Sequence, residues 1–279
     1  MSDPVDSCHF DGIFQQKYNF RDWIITTRRS HILESKCSNS CPKDAELKDK
    51  CLFCQYEEQF KNIPHFPDMT FAKNLLQVEN KRGFGIGFNC LNALKSLSYS
   101  SPPDVKVDSS EDWLKARADC EHSKKVLRPF DWTFTTTYKG HFVSDDPNLQ
   151  FKIEPTEERI NMERLKVKDD ILFFDDVHLF EDELADNGVA QLSVKIRVMR
   201  NIMFILLRYF LRVDKVKVRL CDTRIYYEAG KDYLLREYTS REQDLTSSPL
   251  STEVILDPVE LSKCLPLKDF CNEKLIFPK

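Results

Sequence analysis

Glycine is scarce in this chain, with 7 among 279 residues, and long apolar runs are missing. No Gly-Lys-Ser/Thr phosphate loop is present, and the run Gly83-x-Gly85-x-Gly87 lacks the spacing of a dinucleotide fingerprint. The longest apolar run, from Ile202 to Leu207, is too short to cross a bilayer. These absences exclude the common nucleotide-cradling loops and predict no membrane partner.

An excess of charge of either sign is also missing, because 45 acidic residues face 41 basic ones and the net charge is −4. Nucleic-acid-binding proteins usually carry an excess of Lys and Arg, so the composition predicts no nucleic-acid partner. The N-terminal segment contains acids and a proline, unlike a signal peptide. We therefore expect a cytoplasmic protein, with the nucleus as an additional location, whose cysteines are reduced unless they bind a metal.

Catalytic motifs are the third absence. None of the six histidines has the His-Glu-x-x-His spacing that places two metal ligands on one helix face, and no Gly-x-Ser-x-Gly elbow occurs. The acidic segment from Asp175 to Asp186 lacks the regular ligand spacing and the turn glycine of a calcium loop. We interpret it as a solvated element paired with basic strands, and we predict that the chain is not an enzyme.

Two segments between residues 194 and 220 show a strong pattern, in which apolar and basic residues alternate. This period is typical of half-buried strands with one basic face. The predicted basic face consists of Lys195, Arg197, Lys215, Lys217 and Arg219, and the run Asp222-Thr223-Arg224 follows it. Guanidinium groups suit the carboxylates of a partner, so one hypothesis is a partner-binding surface. The alternatives are solvated bases, or bases paired internally with the acids between Asp175 and Asp186.

Four cysteines lie in a polar insertion at residues 36–56, with the spacing Cys37-x3-Cys41-x9-Cys51-x2-Cys54. Four thiolates would coordinate Zn²⁺ tetrahedrally in a closed structural site, and the alternative is four exposed reduced thiols. Structural zinc is the one cofactor that the sequence raises. Together with the basic strands it defines a second functional hypothesis, a zinc-stabilised nucleic-acid-binding module that uses the basic strand face.

Several long ordered blocks resemble the TIPRL family (TOR signalling pathway regulator-like). They include the run Leu-Arg-Glu-Tyr-Thr-Ser-Arg-Glu at residues 235–242. The other blocks are residues 121–129 with 131–136, 180–184 with 187–189 and 192–199, 206–212 with 222–224, and 273–278. The resemblance covers residues 18–279.

The resemblance implies a mixed fold rich in antiparallel strands. With the strand patterns and the short helical segments predicted at 91–97, 109–120 and 160–168, it predicts an α+β fold. We expect a single domain with a mainly antiparallel sheet and short flanking helices. Residues 1–17 are predicted to form a flexible arm, and residues 18–279 the domain that carries the cysteine-rich insertion.

The resemblance also implies a non-catalytic regulator. Such a protein binds the catalytic subunits of type 2A, type 4 and type 6 protein phosphatases, holds them inactive or latent, and thereby affects TOR signalling. It implies a shared complex with the alpha-four subunit and a cleft that accepts the C-terminal tail of the phosphatase.

Carried over by position, the implied contacts are Asn92, Ile160, Leu220 and Asp222, to which the basic face adds Arg197, Arg219 and Arg224. Asn92 stands where the family usually has aspartate, and Leu220 stands where methionine is common. The cysteine insertion has no counterpart among the family features, so zinc there is an interpretation of spacing alone.

Overall fold

Two antiparallel sheets and five short α-helices make up the described part of the chain. The computed structural model describes residues 5–37, 40–42, 45–61, 63, 65–97, 133–144, 146, 149–245 and 250–278. The helix predicted at 109–120 and the family block at 121–129 lie outside these residues.

The first sheet has six strands in the order β1-β2-β3-β5-β6-β7. These are β1 (Asp6–Phe10), β2 (Ile13–Phe20), β3 (Trp23–Arg29), β5 (Leu75–Asn80), β6 (Phe84–Asn89) and β7 (His141–Ser144). Every second residue is buried along most of β3 and along β5, such as Trp23 and Ile25 in β3 and Leu76 and Val78 in β5. This alternation gives the sheet one apolar face.

The second sheet has eight strands in the order β4-β9-β10-β11-β12-β13-β14-β8. These are β4 (Met69–Thr70), β8 (Lys152–Pro155), β9 (Phe173–Asp182), β10 (Gly188–Val198), β11 (Ile202–Val213), β12 (Lys217–Glu228), β13 (Tyr233–Asp244) and β14 (Leu267–Ile276). We call the face that packs on the first sheet its inner face, and the opposite one its outer face.

The helices are short and flank the sheets. They are α1 (Leu52–Gln59), α2 (Cys90–Lys95), α3 (Met162–Lys166), α4 (Thr252–Leu256) and α5 (Pro258–Cys264). The side chain of Asn89 caps α2 and that of Asn161 caps α3, because each carboxamide oxygen accepts a backbone N–H in the first helical turn. Among the described residues, no helix has the length and apolar composition needed to cross a membrane.

Aromatic rings join the two sheets. The Trp23 indole lies edge-on to Phe84 of its own sheet, with 5.7 Å between the ring centroids. It also lies edge-on to Tyr227 of β12 at 5.6 Å and to Phe277, which follows β14, at 5.4 Å. Trp23 has no exposed surface. Such edge-to-face contacts add to the burial of apolar area, so this cluster anchors the core at one end.

A buried carboxylate joins the sheets elsewhere. Asp175 of β9 is almost fully buried, and it accepts a hydrogen bond from the Thr27 hydroxyl and an ion pair from Arg29 at 2.9 Å, both in β3. Asp176, the next residue, points the other way and pairs with Lys195 at 2.8 Å. The acidic segment was predicted to pair with the basic strands, but only part of it does so.

The predicted α+β fold, a single domain with mainly antiparallel sheet and short helices, is confirmed. The predicted flexible arm differs from the structure, because residues 6–17 form β1 and part of β2, paired in register from Asp6↔Lys17 to Phe10↔Ile13. The sequence did not show this hairpin, since all residues of β1 are exposed and carry no apolar alternation. The segment from Ile202 to Val213, which fits a helix or a strand by pattern, is the strand β11.

Gly188 starts β10 directly after Asn187, which follows three residues with left-handed backbone. The φ of Gly188 itself is +148°. A Cβ at this position would lie 1.9 Å from the Arg212 carbonyl oxygen of the paired strand. Gly230 provides a contrast, because its φ is +93° but nothing lies within 4 Å of its Cβ position.

We expect Gly188→Ala to lower the free energy of unfolding by about 3 kcal/mol or more, since strain and a backbone clash act together. The control Gly230→Ala carries strain alone and should cost about 1–2 kcal/mol. Urea unfolding followed by circular dichroism measures both. Equal losses in the two variants would show that the approach of Arg212 does not constrain this turn.

Candidate functional site

The register of the second sheet divides the predicted basic face between two faces. Lys195 is paired with Leu206, and Leu206 is paired with Arg224, so Lys195 and Arg224 share the outer face. Arg219 is paired with Leu211 of β11, and Leu211 is paired with Ala190 of β10. Ala190 is five residues before Lys195 in the same strand, so their side chains point to opposite faces. Arg219 and Lys217 therefore lie on the inner face. The prediction of one continuous basic face was wrong.

The cause is a change in what covers the outer face. At β10, Val194 and Ile196 point inward to the core. At β12, Val218 and Leu220 point outward, where Leu261 and Leu265 of the α5 region cover them. Apolar residues therefore mark opposite faces in the two strands. Lys215 belongs to neither face, because it lies in the turn between β11 and β12 with φ of +61°.

The outer face carries a compact charged group, the outer cluster, formed by Arg208, Asp222 and Arg224. Arg208 donates to Asp222 through Nε and one terminal nitrogen, at 2.7 and 2.8 Å, and Arg224 donates to the same carboxylate at 3.2 Å. The Asp222 side chain is 2% exposed, Arg208 17% and Arg224 27%. Two guanidinium groups share one buried carboxylate, so the cluster has one positive charge in excess.

Neighbouring charges of the outer face are already paired. Lys195 forms the ion pair with Asp176 described above. Glu237 lies opposite Arg224 in the register, but its carboxylate accepts the backbone N–H of Ile160 at 2.8 Å and faces Arg159 at 3.5 Å. The excess charge of the outer cluster is thus not cancelled by these neighbours.

Apolar groups lie on both sides of the outer cluster. On one side Ile160 and Leu165 of the α3 region pack on Tyr226 and Leu235. On the other side Leu220 and Val218 pack under α5.

A cleft of about 620 Å³ lies between α3 and the outer face. Its wall contains Arg197, which donates to the Leu165 carbonyl oxygen at 2.7 Å and whose buried Nε has no hydrogen-bond partner in the described structure. The apolar residues of this cleft include Met162, Val167 and Ile171, which are 42%, 62% and 56% exposed. The cleft therefore offers apolar surface beside the partly buried Arg197 side chain.

A second charged group, the inner cluster, is formed by Lys217, Arg219 and Glu242. Glu242 pairs with Arg219 at 2.6 Å and with Lys217 at 3.0 Å, and Arg219 also donates to the Thr135 hydroxyl at 3.0 Å. Burial alone would raise the pKa of Glu242, but the two cations outweigh it and hold the pKa below its usual value. This cluster fixes residues near 135 on the sheet and has little surface for a partner.

The four predicted contact residues have unequal exposure. Ile160, Leu220 and Asp222 are 5%, 1% and 2% exposed. They therefore support neighbouring residues of the outer face and offer almost no surface of their own. Asn92 is half-buried in α2, on the first sheet. The Ala93 carbonyl oxygen of α2 accepts a hydrogen bond from the Thr136 hydroxyl, and the neighbouring Thr135 accepts one from Arg219, so α2 lies near the segment that the inner cluster holds.

Sequence reasoning missed Arg208, the bidentate partner of Asp222. The sequence held a hint of this pair, because Arg208 and Arg212 fit alternate positions of one strand face in the segment from Ile202 to Val213. A turn between β11 and β12 at residues 214–216 then places Arg208 opposite Asp222. The pattern and the turn predict the pairing of Arg208 with Asp222 only once this segment is known to be a strand and not a helix.

The four cysteines of the insertion come together as their spacing predicts. One sulfur from each of Cys37, Cys41, Cys51 and Cys54 lies within 4.8 Å of the other three. The acids between Asp175 and Asp186 do not form such a group within the described residues, since Asp175 and Asp176 point to opposite faces and Asp182 accepts backbone N–H groups from Asp68 and Leu184.

The lowered pKa of Glu242 has a consequence for the pH dependence of stability. A carboxyl group whose pKa is lower in the folded state stabilises the fold above its unfolded pKa, and this contribution disappears as the pH falls through the folded pKa. We expect Glu242→Gln to lower the free energy of unfolding by about 2 kcal/mol at pH 7 and by much less under acidic conditions that protonate the wild-type group. Urea unfolding at several pH values measures this difference. The exposed Glu253→Gln in α4 should show little change at any pH, and a Glu242 effect independent of pH would contradict the ion-pair origin.

Comparison with known proteins agrees with the resemblance seen in the sequence. The sequence profile of the TIP41-like family matches residues 69–248, which is more than half of the chain. The TIP41-like protein of Rattus norvegicus is 41% identical over 266 residues, covering 95% of this chain and 91% of that protein. The TIP41-like protein of Homo sapiens is 42% identical over 262 residues, covering 93% and 89%.

A more distant relative carries a name that states an activity. The protein called "Type 2A phosphatase activator TIP41" of Saccharomyces cerevisiae is 36% identical over 234 residues, covering 78% of this chain and 60% of that protein. The matched profile includes β4 and the strands β9 to β13, which carry the outer cluster. By the profile match and the identities over most of its length, the chain belongs to the TIP41-like family.

Proposed function

We propose that this chain is a non-catalytic regulator that binds the catalytic subunit of a type 2A-like protein phosphatase and holds it inactive or latent. The observation that carries the proposal is family membership together with the name of the yeast relatives, type 2A phosphatase activator. Type 4 and type 6 catalytic subunits are further partners in this proposal. So are a shared complex with the alpha-four subunit and an effect on TOR signalling.

The outer face supports this proposal as a place for a carboxylate-bearing tail. The outer cluster has one positive charge in excess, and Arg224 keeps N–H groups beyond the one that binds Asp222. Guanidinium groups bind carboxylates with directed, charge-assisted hydrogen bonds. An acidic C-terminal tail of the phosphatase would place a carboxylate on Arg224 and its apolar side chains in the cleft beside α3.

In this proposal Asp222 has a positioning role. Its carboxylate is saturated by Arg208 and Arg224 and is almost fully buried, so it orients the two arginines for the partner. Ile160 and Leu220 act in the same indirect way, because they seat the α3 region and α5 on the sheet. Arg197 and Arg224 are the residues that would contact the tail directly.

The word activator in the names of two relatives concerns the direction of regulation. A protein that holds a catalytic subunit latent and then releases it to another subunit would lower turnover in a binary assay. A direct activator would raise it. Measuring phosphatase turnover on a phosphopeptide with saturating amounts of this chain separates the two, and a rise would contradict the latent-state proposal.

The nucleic-acid-binding hypothesis receives no support from the geometry. It needs a continuous basic face, but the bases lie on two faces of the sheet. Lys195, Lys217 and Arg219 are also paired with acids.

The binding proposal predicts that Arg224→Gln weakens the complex with the purified catalytic subunit about tenfold or more. The reason is the loss of a charge-assisted hydrogen bond, worth about 1.5–3 kcal/mol. Isothermal titration calorimetry measures the Kd. The control Lys17→Gln removes one exposed positive charge from β2 of the other sheet and should leave the Kd unchanged. An unchanged Kd for Arg224→Gln, or equal losses in both variants, would place the interface elsewhere.

A substitution of Asn92 tests for a gain of affinity, because the resemblance implies an aspartate at this position. Asn92 is the third residue of α2, where the helix dipole favours a negative charge, so Asn92→Asp should fold. We expect it to bind the catalytic subunit about tenfold more tightly, since a charge-assisted bond replaces a neutral one. Asn19→Asp, an exposed change in β2, is the matched control. No gain in Asn92→Asp over this control would remove Asn92 from the interface.

A further inference from the structure

The four cysteine sulfurs have the spacing that one tetrahedral metal ion requires. In a tetrahedral zinc–thiolate site the metal–sulfur distance is about 2.3 Å, so neighbouring sulfurs are about 3.8 Å apart. The sulfurs of Cys51 and Cys37 are 3.7 Å apart, and all four sulfurs lie within 4.8 Å of one another. A small contraction of the longer distances would enclose an ion.

The backbone supports charged sulfurs at two of these positions. The Cys41 N–H donates to the Cys37 sulfur at 3.4 Å, and the Cys51 N–H donates to the Cys41 sulfur at 3.1 Å. A neutral thiol is a weak acceptor, whereas a metal-bound thiolate carries negative charge that such donors stabilise. These two bonds fix the loop so that sulfurs distant in sequence meet.

The helix α1 supplies the other half of the site. Cys51 is its N-cap residue and Cys54 lies in its first turn, so both sulfurs are at the positive end of the helix dipole. One Zn²⁺ ion with four thiolates has a net charge of −2, which this end of the helix stabilises. Lys50, adjacent to Cys51, is paired with the Glu58 carboxylate of α1 at 2.6 Å, so the positive end of the helix is the charge that faces the sulfurs.

We propose that Cys37, Cys41, Cys51 and Cys54 bind one Zn²⁺ ion in a closed structural site. All four coordination positions are filled by thiolates, so no position remains for a water or a substrate. Sulfur ligands alone in a tetrahedral arrangement select zinc or iron, and zinc is the redox-inert choice for a structural role.

In this proposal the metal holds the segment before α1, which has few buried residues of its own, against the helix. Tyr56 and Phe60 anchor α1 and its C-terminal end in the main core. By contrast, no residue of the short 3-10 helix Leu47–Asp49, which lies between the two cysteine pairs, is buried. The zinc site would therefore fasten the segment before α1 to the anchored helix. It also lies beside a cleft of about 330 Å³ lined by Cys51, Leu52 and Phe53, whose wall it would fix.

This site is independent of the proposed phosphatase binding. The family profile begins at residue 69, after the last of the four cysteines. Loss of the metal should loosen the segment before α1 locally and leave the two sheets folded.

The test uses the full-length protein purified without added chelator, with metal content measured by inductively coupled plasma mass spectrometry. We expect about one zinc per chain in the wild type and in the control Cys264→Ser, an exposed cysteine of α5. Cys41→Ser and Cys54→Ser should each lose most of the zinc. Wild-type protein with less than about a tenth of an equivalent of zinc, with iron instead, or with the cysteines found as disulfides by mass spectrometry, would overturn the proposal.

Two measurements on the wild-type chain keep the proposal testable if the variants fail to fold. Metal-free protein titrated with Co²⁺ should develop the visible absorption of a tetrahedral thiolate complex, and Zn²⁺ should abolish it. Trypsin should cleave after the exposed Lys48 at least about tenfold faster when a chelator is present, while circular dichroism of the sheets is unchanged. Absence of the cobalt spectrum, or cleavage independent of chelator, would contradict the site.

Discussion

The pairing register of β11 with β12 is the constraint on which the rest of the second sheet depends. The two strands pair without interruption from Ile202↔Glu228 to Val213↔Lys217. Since side chains alternate between faces, a shift of one residue would turn over one strand relative to the other and exchange core and surface along it. The observed register buries Leu211 under the first sheet and places Arg208 opposite Asp222 on the outer face. One choice of pairing thus determines the core and the charged cluster together.

The alternation of residues predicted the strands correctly but not the shared face of their bases. A period of two tells which residues of one strand lie together, and it does not tell how two strands are aligned. The outcome depended on α5, which covers Val218 and Leu220 and makes the outer face apolar at that end of the sheet. Asp222 could be identified through the family resemblance. Its partner Arg208 required the register, which pattern alone does not supply.

Other differences have similarly local causes. The β1–β2 hairpin escaped prediction because an exposed edge strand needs no apolar side and so leaves no alternation in the sequence. The cysteine spacing showed the ligand type, but a spacing of three and two residues with a gap of nine is compatible with loose thiols as well. The meeting of the four sulfurs depends on two backbone N–H donors and on the start of α1 at Leu52, and neither is visible in the sequence.

The charge balance of the outer cluster bears on the kind of partner it would select. A fully neutral pair of one arginine and one aspartate would offer little attraction, and a row of unpaired bases would attract any polyanion. Here one buried carboxylate serves two arginines, so a single additional carboxylate would complete two ion pairs in directed geometry. Asp222 also prevents the two guanidinium groups from repelling each other in the free protein. Such an arrangement favours the acidic end of a protein tail over a nucleic-acid backbone. In the proposed interface, the buried Asp222 would act through Arg208 and Arg224 and would not touch the partner itself.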